Sequence, residues 1–113
     1  MIVLAVTAAL SYRFLFDTVE TGSTEQWATI DRYCTDCHNS AEQAGGFSFE
    51  GLRTDSFEHD AALWETAIRK LRGGFMPPPG EPSPGRERID QLAGWIETSR
   101  AVSYTHLTLP TKV

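Results

Sequence analysis

Both cysteines of the chain lie in one octapeptide, Tyr33-Cys34-Thr35-Asp36-Cys37-His38-Asn39-Ser40, with a histidine directly after the second. Four chemistries use two cysteines at this spacing: a disulfide, a redox dithiol, half of a metal site, and covalent haem attachment. The choice among them also decides the fold. A chain of 113 residues builds one small domain, and a domain of that size is often helped by a metal or cofactor.

The residues before the octapeptide read as a helix. Ser23 with Gln26 three residues on has the form of a capping box, and Trp27, Ile30, Cys34 and Cys37 recur at helical spacing. The cysteines are therefore expected near a helix end, on the side of its apolar residues. C-x-x-C-H is the signature of c-type haem attachment. Two thiols three residues apart on a helical turn reach the two vinyl groups on one porphyrin edge, and His38 then offers an imidazole nitrogen to the iron. The alternatives explain less. A redox dithiol favours a helix N-terminus within a βαβ pattern, and neither is present in this sequence. A structural zinc site needs four ligands, while the remaining histidines are His59, isolated, and His106, in an anomalous tail. A plain disulfide suits an exported protein but leaves His38 without a role.

Haem iron commonly takes a second axial ligand, and methionine paired with histidine is the electron-transfer combination. The chain has two methionines. Met1 starts it, which leaves Met76. Pro77 biases Met76 away from helical backbone, and Pro77 to Pro79 stiffen a loop able to hold a weakly binding sulfur over the metal. Trp27, Trp64, Ile68, Leu92 and Ile96 are candidate walls. A dry, six-coordinate iron raises the potential and leaves no open site for a substrate. Arg69, Lys70 and Arg72 read as a solvated helix end, with a haem propionate or a docking partner as the alternative.

Elsewhere the pattern is helical with ordered loops. Asn39 to Thr54 reads as a loop in which Phe47 and Phe49 alternate with polar residues, an extended piece laid over something apolar. A second helix starts at Asp60 as N-cap, buries Leu63, Trp64, Ala67, Ile68 and Leu71, and ends at Gly73 and Gly74. After the proline-rich stretch, Ser83 and Pro84 are expected to open a third helix as N-cap and first residue, with Ile89, Leu92, Ala93 and Ile96 inward. The fold class is all-α, about three helices wrapped around a large central group.

The ends differ in character. Met1 to Ser11 is nearly all apolar, too short for a confident membrane span, and suits the core of an export signal whose basic flank is missing. Residues 1–22 are thus expected to be a truncated signal or membrane anchor plus a linker at Asp17 to Gly22, with the domain over 23–101. Val102 to Thr111, V-S-Y-T-H-L-T-L-P-T, matches residue for residue the translation of a transposon-end sequencing adapter, so 102–113 are expected to be non-native. A net charge of −5 argues against nucleic acid as a partner, and 41% hydrophobic residues argue against disorder.

"YCTDCHN", "GGFSFEGL", "LWETAIRKLRGGFMPPPGEPSP" and "IDQLAGWIE", in this order, resemble the planctomycete-type cytochrome c domain over Thr24 to Ala101. The resemblance implies a class I cytochrome c-like fold and one covalent haem c on Cys34 and Cys37. It implies His38 as proximal ligand and Met76 as distal ligand, beside Pro77. It also implies an exported, periplasmic setting within a larger protein. The expected function is single-electron transfer to or from a partner protein or an attached downstream domain, not catalysis. The rival is a haem-based sensing or structural interaction module, in which Met76 detaches or the haem only builds the fold.

Overall fold

The computed structural model describes the backbone of residues 1–108 and the side-chain surroundings of 1–14 and 22–103. Among the described residues the chain is all-helical: α1 (Ile2–Tyr33), a 3-10 turn (Ala44–Gly46), α2 (Ser56–His59), α3 (Ala61–Arg72) and α4 (Arg86–Thr108). The helical class is the one expected, with a short extra helix.

The last turns of α1 carry Trp27 and Ile30 into the core. The helix then stops at the first cysteine, and the Cys34 N–H donates to the Ile30 carbonyl at 2.9 Å. The start of α1 differs from the expectation. No linker interrupts it at Asp17 to Gly22, and Ser23 lies inside a running helix rather than at its cap. The physical reason is that this stretch contains no proline; Gly22 weakens a helix interior by roughly 0.5–1 kcal/mol but does not remove a backbone donor. The apolar residues Ile2, Val3, Leu4 and Leu10 are exposed. Among the described residues no helix is long and apolar enough to cross a membrane.

α2 has only four residues and was not expected. It exists to bury Phe57, which is 2% exposed. Asp60 ends α2 and begins α3: its N–H donates to the Ser56 carbonyl and its own carbonyl accepts from Trp64. Asp60 holds the N-cap position without a side-chain capping bond. α3 ends at Gly73 as expected, and Gly74 takes φ +73°, a conformation that favours glycine.

α4 begins at Arg86, two residues later than Ser83 and Pro84 would place it. Gly85 has φ +94° and so cannot lie inside a right-handed helix. Its carbonyl accepts the first helical bond, from Ile89 at 3.1 Å. The Ser83 hydroxyl accepts from the Gly85 N–H at 3.3 Å instead of capping the helix. α4 continues past Ala101 to Thr108. The rest of the adapter-like tail, 109–113, lies outside the described residues.

The core is an aromatic cluster closed by aliphatic residues of α4. Trp64 is fully buried, with Ile30, Phe57, Ile96 and Ala93 nearly so. Trp27 stands edge-on to Trp64 at 5.9 Å and to Trp95 at 5.5 Å, while Phe57 meets Trp64 at 4.8 Å. The two inward indole N–H groups are satisfied. Trp64 donates to the Ser56 hydroxyl at 3.2 Å, and Trp27 to the Thr54 hydroxyl at 3.4 Å. Arg88 pairs with Glu25 at 2.6 Å, tying α4 to α1. Trp64→Ala is expected to cost about 3–5 kcal/mol through the cavity it leaves, read as a lowered midpoint in a denaturant titration followed by helical circular dichroism.

Candidate functional site

The turn after α1 is built from the octapeptide's own backbone. The His38 N–H donates to the Cys34 carbonyl at 3.0 Å, which carries one more helical bond through the motif. The chain then doubles back. Ala44 N–H donates to the Cys37 carbonyl at 3.0 Å, and Phe49 N–H to the His38 carbonyl at 2.8 Å. Asn39 holds the reversal. Its amide donates to the carbonyls of Thr35 and Asp36, both at 2.9 Å. Its side-chain oxygen accepts from Ala41 and Glu42 at 3.0 and 2.8 Å. The Ser40 N–H donates to the Glu50 carboxylate at 2.9 Å, and hydrogen bonding from Ser40, its side chain first and its backbone N–H second, holds that carboxyl below its usual range.

The imidazole of His38 is set by two contacts. Nδ1 lies 2.7 Å from the Ala44 carbonyl oxygen. A carbonyl only accepts, so Nδ1 carries a proton, and Nε2 is the ring nitrogen left for another partner. The ring also stacks on Phe47, with centroids 4.3 Å apart and planes 14° apart, and meets Phe49 edge-on at 5.5 Å. This is the extended piece laid over something apolar: Phe47 has φ −144° and ψ 167°, and what it covers is His38. Gly45 permits the approach, with φ +70° and a Phe47 ring carbon 3.3 Å from where a Cβ would stand.

These groups face a cavity of about 430 Å³, within the size range of ligand sites, roughly 300–1,000 Å³. Cys34, Cys37 and His38 line one part of it, and Met76, Pro77 and Pro78 another. Between them the wall is Trp64, Phe49, Leu71, Leu92 and Ile96. The charged lining residues, Arg32, Asp36, Lys70 and Glu81, are all exposed.

The structure thus brings together Cys34, Cys37, His38, Trp64, Met76 and Pro77, with the expected walls Leu92 and Ile96. It sets Trp27 and Ile68 behind the lining, Trp27 within the aromatic core and Ile68 half-buried against it. On α3 the cavity side is Leu63, Thr66, Ala67, Lys70 and Leu71, one helical stripe, and Ile68 lies off its edge. Phe47, Phe49 and Leu63 join the lining without having been singled out as site residues. Of the three cations ending α3, Arg72 bonds Glu97 at 3.1 Å and Asp90 at 3.5 Å, and Arg69 bonds Glu65 at 3.6 Å. Lys70 instead lies over the Phe75 ring, 5.2 Å from its centroid.

The cysteines are unbonded, Cys34 half-buried and Cys37 exposed. Burial, then Asp31 and Cys37, pushes the Cys34 thiol up to about 11. A redox dithiol needs a lowered thiol pKa, so this setting argues against that chemistry. Among the described residues no group of three His, Cys, Asp or Glu side chains is arranged to hold a metal ion.

Residues 34–80 match the planctomycete cytochrome C family model. The matched segment opens on Cys34 and closes at residue 80, within the Met76 loop, so it contains the cysteines, His38, Trp64, Met76 and Pro77 together. It is narrower than the Thr24 to Ala101 resemblance and leaves out Trp27 and α4. A match to a cytochrome c family suggests a haem-binding, electron-transfer role. No curated protein and no solved structure matches the chain.

The residues fit a haem on grounds of their own. The wall is apolar, two unbonded thiols stand on one part of it, and the imidazole of His38 uses only Nδ1 for its bond to Ala44. Asn39→Ala, which removes four side-chain bonds, is expected to destabilise the full chain by about 2 kcal/mol. Asn39→Asp, which keeps the acceptor and loses the donors, is expected to cost roughly half as much. Denaturant midpoints of the two variants check the ordering.

Proposed function

We propose that the chain is a His/Met cytochrome c domain that carries single electrons between protein partners. Cys34 and Cys37 would tether the haem through thioethers, and His38 and Met76 would ligate its iron from opposite faces. The observation that carries the reading is the hydrogen bond from His38 Nδ1–H to the Ala44 carbonyl. Metal-ligating histidines almost always donate their other ring N–H to a carbonyl or carboxylate, which sets the tautomer and ring plane. Here that bond leaves Nε2 as the donor atom in a residue that shares its cavity with both thiols and the only internal methionine.

When bound, the haem supplies a one-electron couple. The chain's contribution is to hold, orient and dry it. Phe47 and the Ala44 carbonyl keep the imidazole from rotating. Trp64, Leu71, Leu92 and Ile96 exclude water from the wall between the two ligands, and a low-dielectric wall is one of the means by which a protein tunes haem potential. Pro77 and Pro78 restrict the backbone beside Met76. Haem c attachment by dedicated machinery is the ground for placing the domain in an exported, periplasmic setting. A redox partner protein or a further domain would take the electron.

The test is production of the full chain in a periplasm with haem-attachment machinery, wild type beside Met76→Ala. The expected wild type has a mass increased by one haem, a sulfur-to-ferric-iron charge-transfer band in the visible spectrum, and slow binding of carbon monoxide when reduced. Met76→Ala is expected to keep the mass, lose the band and bind carbon monoxide readily. Ready binding by the wild type would favour gas sensing. A folded chain without covalent haem would refute the cytochrome reading.

A further inference from the structure

The loop that carries Met76 is stiff in the middle and loose at both ends. Prolines 77, 78 and 79 restrict the segment that carries Met76, and prolines 82 and 84 the part after Gly80, whose φ is +91°, whereas Gly73 and Gly74 start the loop and Gly85 ends it. Gly74 and Gly85 both have positive φ. Glycine hinges at both ends would let a proline-stiffened segment swing as a unit, carrying Met76 with it.

One guanidinium spans the two ends. Arg86 is the first residue of α4. Its Nη1 donates to the Leu71 carbonyl at 3.0 Å and its Nη2 to the Arg72 carbonyl at 3.4 Å, two carbonyls at the end of α3, the first of which also accepts from the Gly74 N–H at 3.2 Å. The same Nη2 pairs with Asp90 one turn along α4, and Asp90 also accepts from Arg72. A Cβ on Gly74 would stand 3.9 Å from Arg86 Nη1, so the guanidinium lies against the hinge itself. Within α4 the i,i+4 pair with Asp90 accounts for one contact of this arginine, and the two carbonyl contacts belong to the end of α3. A cation is unfavourable in the first turn of its own helix and favourable at the C-terminus of another.

We propose that Arg86 is a positioning residue for Met76, clasping the two glycine-hinged ends of its loop so that the thioether stays directed into the haem cavity. The proposal rests on the His/Met reading above. It assigns to Arg86 no contact with haem or sulfur; its effect passes through the backbone at residues 71–74.

The test uses the full-chain holoprotein with Arg86→Ala, Arg86→Lys, Met76→Ala and, as a stability control, Arg88→Ala, which breaks the α1–α4 ion pair away from the loop. Arg86→Ala is expected to keep covalent haem and helical content while weakening the sulfur–iron band. It should also speed carbon monoxide binding about ten-fold, as a larger sulfur-detached population would. Arg86→Lys keeps the charge but not the fork and is expected to fall between Arg86→Ala and wild type. Arg88→Ala is expected to lower the melting temperature and leave band and rate at wild-type values. If Arg86→Ala yields no folded holoprotein, Arg86→Lys decides by the same two readouts. Wild-type band and rate in the folded Arg86 variants overturn the clasp while the Met76→Ala result leaves His/Met ligation standing. A wild type without the band overturns both.

Discussion

The side chain of Trp64 does the work of both core and cavity wall. It is fully buried, it touches Trp27, Phe49 and Phe57, and it lines the cavity shared by His38 and Met76. The hydrogen bond from its indole to Ser56 draws in the short helix α2, whose single large apolar side chain fills the space next to it. A small domain has little interior to divide. Here the same aromatic cluster joins the helices and closes the site, so packing and cofactor environment cannot be changed independently.

The two segments that present the site are not regular structure, and each is held by side-chain bonds to backbone. Asn39 uses both ends of its amide to brace the turn behind His38, and His38 itself completes that turn through Ala44. Across the cavity, prolines limit the Met76 loop from within and Arg86 closes it from outside. A loop has no ladder to fix its backbone. Where a ligand atom must hold position, polar side chains supply the missing bonds. The match to the planctomycete cytochrome C family begins at the cysteines and ends at residue 80, so the matched segment contains Asn39 and the prolines beside Met76 and stops short of Arg86.

Much of the site was legible because covalent and coordination chemistry restrict residue type and spacing. The octapeptide, the single internal methionine and the prolines after it announce themselves in one dimension. The apolar stripes of α3 and α4 are likewise periodic: the inward residues expected of α4 are all buried, while on α3 Trp64 and Leu71 are buried and Leu63, Ala67 and Ile68 half-buried, and Asp60 and Gly73 bound α3 where local backbone preference puts them. The failures occur where a boundary depends on a single torsion or on a partner far along the chain. Gly85 moved the start of α4 past Ser83 and Pro84. The stretch from Asp17 to Gly22 lacked the proline that would have broken α1.

What the sequence by itself determined is the chemistry: two thiols, an imidazole and a thioether, with a helical scaffold of suitable length. Side-chain identity and near-neighbour spacing are enough for that. The tertiary structure alone decided which atoms are available and which walls are real. That Nδ1 of His38 is occupied depends on Ala44 folding back six residues later. That Phe47 rather than Ile68 stands at the site depends on the path of a loop, and that Arg86 bonds the end of α3 as well as Asp90 of its own helix depends on how two helices pack. These are contacts between segments, and helical periodicity carries no information about which face of one element another will meet.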